Sequence, residues 1–380
     1  MPLLERFFGW RPHGDSCLTA YLEEALERPG CPLCRLVADA TRRHLEFLLY
    51  GRVNDPVTAR QLLASGGFCG EHTWAVAEVA AAVHAATGVA RLYERLLADL
   101  LRHADSDARF LRWLQPDEPC PLCAANAATA AAYLAELARL LAGRSPRLRG
   151  AATVLCLPHL GELAPYATTQ GLARLTEATE AALARARGPA RLALTVGRRS
   201  LGGLPAGCGC PACRAAREAV AAVEDAAALC RPHAWQLFDW DRRELADILH
   251  GPPRGSCPAC RAGAVAVEAA IAGLDDARPL CLGHLRHALE SGWLVRTTVI
   301  EALEQLDAAL ARLCASADYR FTGRLDAGDR QSWLTALARF GGEAVGGGLS
   351  RAPAARAAAP RASGPVRVAL NRAVLRGRAT

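Results

Sequence analysis

Four Cys-Pro-x-Cys motifs alternate with four Cys-x-x-His motifs along this chain of 380 residues. The first kind comprises Cys31 and Cys34, Cys120 and Cys123, Cys210 and Cys213, and Cys257 and Cys260. The second kind comprises Cys69 and His72, Cys156 and His159, Cys230 and His233, and Cys281 and His284. A Cys-x-x-Cys turn sets two sulfurs close enough to grip one ion, and a following helix N-terminus favours the thiolate form. A Cys-x-x-His half adds one more thiolate and an imidazole. Three thiolates and a neutral imidazole make a tetrahedral Cys3His zinc set with no position left for water, which is a structural rather than a catalytic centre.

Read in chain order, each Cys-Pro-x-Cys is answered by the next Cys-x-x-His, so Cys31 and Cys34 take Cys69 and His72, and so on through four zinc sites. These sets use 12 of the 15 cysteines and 4 of the 10 histidines. Buried structural cysteine and a redox-active dithiol are the rival readings of Cys-Pro-x-Cys. Neither explains the four partner motifs. Iron–sulfur ligation is compatible with the same donors and is the lesser expectation. Cys17, Cys208 and Cys314 are left over. Cys208 stands two residues before Cys210 and is either a spare thiol or a fourth sulfur displacing His233. Glu71 lies between Cys69 and His72, but Pro158, Pro232 and Gly283 hold the corresponding places, so no carboxylate is required there. His44, His84, His103 and His287 read as surface or core residues on helices. No phosphate loop, nucleophile–base pair or paired carboxylate accompanies the motifs.

The elements that must position these motifs are helices. Ala, Leu and Arg dominate the chain, and aromatics make up only 6%. A helix over Cys17–Leu26 ends at Arg28-Pro29-Gly30. Another leads from Cys34 to about Tyr50, with Gly51 as its C-cap. Asp55 and Pro56 open the next, as N-cap and first position. Gly66-Gly67-Phe68 makes the turn into Cys69, and a long helix runs from Thr73 to about His103 with a break near Gly88. An Ala-rich helix follows Cys123, and another spans about 171–187. Between the inner cysteines the first two pairs enclose 34 and 32 residues and the last two 16 and 20, so the later units hold a single helix each. Leu303, Leu306, Leu310 and Leu313 form an apolar stripe on a late helix, and one more surrounds Trp333.

The formal net charge of +7 equals the seven arginines of residues 351–380, a segment without acids, so the body is neutral. That argues against a broad nucleic-acid-binding face in the body and leaves the tail as the one stretch suited to it. No signal peptide and no apolar run long enough to span a membrane is read, which predicts a cytoplasmic protein without membrane attachment and with reduced thiols.

Cys31-Pro32-Leu33-Cys34 and Gly67-Phe68-Cys69-Gly70-Glu71-His72, with Asp318-Tyr319-Arg320-Phe321 and Ser332-Trp333, resemble an uncharacterised bacterial family of Cys-rich helical proteins, a domain of unknown function. The resemblance spans most of residues 17–343. It brings no activity with it. The low aromatic content and the arginine tail depart from the family's pattern.

The sequence therefore predicts an all-α protein of four tandem metal-stapled helical units arranged as two pairs. Residues 1–187 hold the N-terminal pair, 188–207 a linker, 208–345 the C-terminal pair with a terminal helix, and 346–380 a disordered basic tail. The expected role is a non-enzymatic zinc scaffold that binds an unidentified protein partner. A redox- or metal-responsive protein with iron–sulfur clusters or labile thiols is the first alternative. A nucleic-acid-associated protein acting through the tail is the second.

Overall fold

The computed structural model describes residues 15–142, 154–186, 209–223 and 257–342. The linker and the tail fall outside them, as do Cys208, Cys230 and His233. Among the described residues the fold is all α, with fourteen α-helices and no strand.

The chain divides into two compact units. The first draws on residues 15–44, 122–142 and 154–186. It contains α1 (Asp15–Leu26), most of α2 (Pro32–Phe47) and of α7 (Pro121–Ala142), α8 (Leu157–Leu163) and α9 (Thr169–Arg185). Its core is one cluster in which Leu22, Leu33 and Leu36 meet Tyr133, Leu137, Leu155, Leu163 and Leu175. Cys31, Cys34 and Cys156 belong to that cluster. The late part of α2 lies on the start of α7, where the Thr41 hydroxyl donates to Asn126 Oδ1 at 2.9 Å. Glu136, buried on α7, accepts from the Thr19 hydroxyl of α1 and from Arg139 Nε at 2.8 Å.

The second unit draws on residues 45–121, 209–223 and 257–342. It contains α3 (Pro56–Ala64), α4 (Gly70–Ala82), α5 (Ala86–Arg102), α6 (Asp107–Trp113), α10 (Pro211–Ala221), α11 (Pro258–Ala272), α12 (Leu282–Glu290), α13 (Arg296–Ala315) and α14 (Ala327–Gly341). The predicted leucine stripe of α13 is buried at all four positions. Phe340 of α14 is the aromatic hub, edge-on to Tyr93 at 5.0 Å and to Trp113 at 6.3 Å between ring centres.

Local chemistry explains the helix starts. Asp55 caps α3 by accepting from the Thr58 N–H, with Pro56 at the first position, as the sequence predicts. Two other boundaries differ. Gly51 caps nothing and lies inside a π-helical turn, Leu48–Arg52. The long helix breaks at Val83–Ala85 rather than at Gly88, with His84 left-handed at φ 54°. Gly88 sits inside α5 because its missing side chain lets Val53 approach. A Cβ there would stand 3.3 Å from Val53 Cγ2.

Candidate metal centres

The seven described ligand motifs lie at the starts of helices. Cys69, Cys156, Cys210, Cys257 and Cys281 are N-caps in extended conformation, each followed directly by its helix. Cys34 and Cys123 sit within the first turns of α2 and α7. Pro32, Pro121, Pro211 and Pro258 each occupy a first helical position, where a missing N–H costs nothing. Each ligand thus projects near the positive end of a helix dipole, which favours thiolate.

The structure gathers twelve of the predicted residues into three groups, and the grouping differs from chain order. Cys31 and Cys34 meet Cys156 and His159, not Cys69 and His72. Cys69 and His72 meet Cys120 and Cys123. Cys210 and Cys213 meet Cys281 and His284, not the nearer Cys-x-x-His. In these three groups each Cys-Pro-x-Cys is completed by a Cys-x-x-His other than the one that follows it next in the chain. The physical reason in the first group is helix packing: α2 docks on α7, and this carries Cys31 and Cys34 past Cys69 and His72. The second half repeats the arrangement, with the late part of α10 against the early part of α11. A Cβ on Gly263 of α11 would lie 3.4 Å from Val220 Cγ2 and 3.8 Å from the Ala216 carbonyl.

Within each group the donor atoms lie within 4.8 Å of one another. Cys34 and Cys156 sulfurs are 3.6 Å apart, and those of Cys213 and Cys281 are 3.8 Å apart. His159 Nδ1 stands 3.1–3.5 Å from the sulfurs of Cys156, Cys34 and Cys31. His284 Nδ1 stands 3.2 Å from Cys281 Sγ and 3.4 Å from those of Cys210 and Cys213. His72 Nδ1 lies 3.2 Å from Cys69 Sγ and 3.5 Å from Cys120 Sγ. A tetrahedron with zinc–sulfur bonds of about 2.3 Å and a zinc–nitrogen bond of about 2.0 Å has edges of about 3.8 Å (sulfur–sulfur) and about 3.5 Å (sulfur–nitrogen). The observed separations of 3.1–3.8 Å lie close to those edges, and all three histidines present the same nitrogen. No described cysteine is in a disulfide.

The electrostatics of the first group suit a cation. Hydrogen bonds from Cys156 and Cys34 hold Cys31 far below the ordinary thiol range, while the bond to Cys31 pushes Cys156 above it. Burial would lower His159, yet Cys31 and Cys34 together raise it to about 10. In the third group the bond to Cys210 and burial raise Cys281. Sulfurs packed this closely favour positive charge among them, and the group could hold a metal ion.

Cys257 and Cys260 open α11, with the Cys260 N–H donating to Cys257 Sγ at 3.3 Å. They enter none of the three groups found among the described residues. Glu71 is in no group either. His44 sits on α2, with burial and Arg43 lowering it below the ordinary imidazole range. His103 is the C-cap of α5, its Nδ1 2.8 Å from the Asp99 carbonyl. Cys314 is buried on α13, where desolvation and Glu94 raise it to about 12.

Some supporting residues carry no sequence signal. Arg35, next to Cys34, donates to the carbonyls of Ala25 and Pro29 at 2.6 and 2.7 Å and braces the turn before Cys31. Arg339, far along the chain on α14, does the same for the turn before Cys281, donating to the carbonyls of Ala277, Arg278 and Leu280. Among the described residues no helix is long and apolar enough to cross a membrane.

No protein-family model matches the chain, and neither a curated protein nor a solved structure does. The chemistry of the site must therefore be read from its own donors.

Proposed function

We propose that the chain is a non-enzymatic zinc scaffold whose helices are stapled by four Cys3His centres and whose surface serves a protein partner. The observation that carries this reading is the match between the donor separations and the edges of a zinc–thiolate tetrahedron. All four coordination positions of each group come from the protein, so the ion's task is to hold helices together. Structural zinc can contribute ~10–16 kcal/mol per site in small domains, and that energy is folding energy.

The fourth centre follows from the exchange of motifs. With three sets assigned, Cys257 and Cys260 are the remaining Cys-Pro-x-Cys and Cys230 and His233 the remaining Cys-x-x-His. We assign them to each other, with Cys208 as the alternative to His233. Metal analysis of protein purified without chelator tests the proposal. Close to four zinc ions per chain and a colourless solution are expected. A brown solution with iron and acid-labile sulfide would replace it by the redox-responsive reading, and a content near zero would remove metal altogether.

A further inference from the structure

We propose that Arg339 is the balancing cation of the third metal group and the residue that positions Cys281 within it. The proposal rests on the zinc reading above. A divalent ion held by three thiolates and a neutral imidazole carries one net negative charge. All four ligands of this group, Cys210, Cys213, Cys281 and His284, are buried, so water does not screen that charge. A second source of negative potential lies beside it. The C-terminal end of α14 reaches the group at Gly342, where a Cβ would stand 3.4 Å from Cys281 Sγ. A helix C-terminus presents partial negative charge.

Arg339 lies in the last turn of that helix and answers both. It is the one arginine among the described residues that is buried, at 5% exposure. Its guanidinium donates to three neutral carbonyls, those of Ala277, Arg278 and Leu280, and these fix the turn that delivers Cys281. The groups that face it are the sulfurs of Cys281 and Cys210, thiolates once they hold a metal, and the Asp276 carboxylate. Asp276 is itself engaged with Arg278 Nε at 2.6 Å. A buried guanidinium bonded to the carbonyl of Leu280, the residue directly before Cys281, brings its positive charge beside a metal–thiolate group held there. The first group has a bracing arginine too, but Arg35 is only partly buried and its charge is shared with solvent. Among the described residues, the third group is thus the one whose bracing arginine is buried.

The test uses the full chain, loaded with cobalt as the probe, and the variants Arg339→Met and Arg339→Lys. Supporting residues around a metal typically change its affinity roughly 10–100-fold. With Arg339→Met, competition against a chelator should show one ion bound roughly 10–100-fold more weakly and the others unchanged. The thiolate-to-cobalt absorption of that ion should move to lower energy, since its sulfurs lose a neighbouring positive charge. Arg339→Lys keeps the charge and should stay within about threefold of the parent. Unchanged affinity and spectrum in Arg339→Met would overturn the proposal. Equal weakening in both variants would overturn the charge role and leave only the bracing of the turn. Should Arg339→Met fail to fold, Arg339→Gln takes its place as the charge-removing variant, with the same two outcomes. A parent chain that binds no metal would instead defeat the zinc reading itself.

Discussion

The indole N–H of Trp74 donates to the carbonyl of Gly342 at 2.8 Å, across 268 residues of sequence. Trp74 is two residues beyond the ligand His72, and Gly342 lies against the sulfur of the ligand Cys281. The end of α14 therefore lies against Cys281 and bonds to a residue two places from His72. Its packing there is tight. A Cβ on Gly341 would stand 2.7 Å from Thr73 Cγ2 and 2.9 Å from its Cβ. Thr73 is fully buried and its hydroxyl donates to the Phe68 carbonyl, so it cannot swing aside.

Gly341→Ala should therefore destabilise the protein. Alanine gains at most about 1 kcal/mol of helix propensity over glycine. Overpacking a filled core costs about 1–3 kcal/mol. The clash wins, and thermal melting of the metal-loaded protein should fall by several degrees. An unchanged or higher melting temperature would mean that α14 does not seat on Thr73.

Acid should loosen the start of the same helix. Asp326 and Asp329 form a capping box, and Arg312 Nε donates to Asp329 Oδ1 at 2.8 Å. The Arg312 hydrogen bond, followed by the backbone bond from Asp326, holds Asp329 below the ordinary carboxylate range. A depressed folded-state pKa contributes stability above the unfolded value, near 3.9, and that stability is lost as pH falls through the folded value. Asp329→Asn should lower the melting temperature at neutral pH and flatten its fall below about pH 4. A parallel acid profile in parent and variant would remove Asp329 from the account.

Inside the first unit, Thr41→Val keeps the shape of the side chain and removes its hydroxyl from Asn126. A neutral hydrogen bond is worth about 1 kcal/mol, and this one is partly buried, with the hydroxyl shared with the Val37 carbonyl. Stability should drop by about 0.5–1 kcal/mol in denaturant titrations of loaded protein. No change would argue against the docking of α2 on α7 that brings the first metal group together.

Much of this was legible in the sequence. The helix starts, the proline at each Cys-Pro-x-Cys and the leucine stripe of α13 follow from local rules, and the structure has them. The choice of partner motif does not follow, because spacing alone barely discriminates. Closing Cys34 onto Cys156 rather than Cys69 lengthens the loop three- to fourfold, which costs only about 1 kcal/mol of chain entropy. Leu33 and Leu36 packing on Tyr133 and Leu137 outweighs that. The break at Val83–Ala85 was obscured for a similar reason. Gly88 looked like the weak point, but its lack of a side chain serves the approach of Val53.

The exchanged pairing of motifs is the central claim, and metal stoichiometry in two double variants tests it most directly. Cys31→Ser with Cys156→Ser removes two ligands from one group, so the loaded protein should lose one ion. Cys31→Ser with Cys69→Ser removes one ligand from each of two groups, so it should lose two. Pairing in chain order requires the reverse, two ions lost in the first variant and one in the second, and that result would contradict the account.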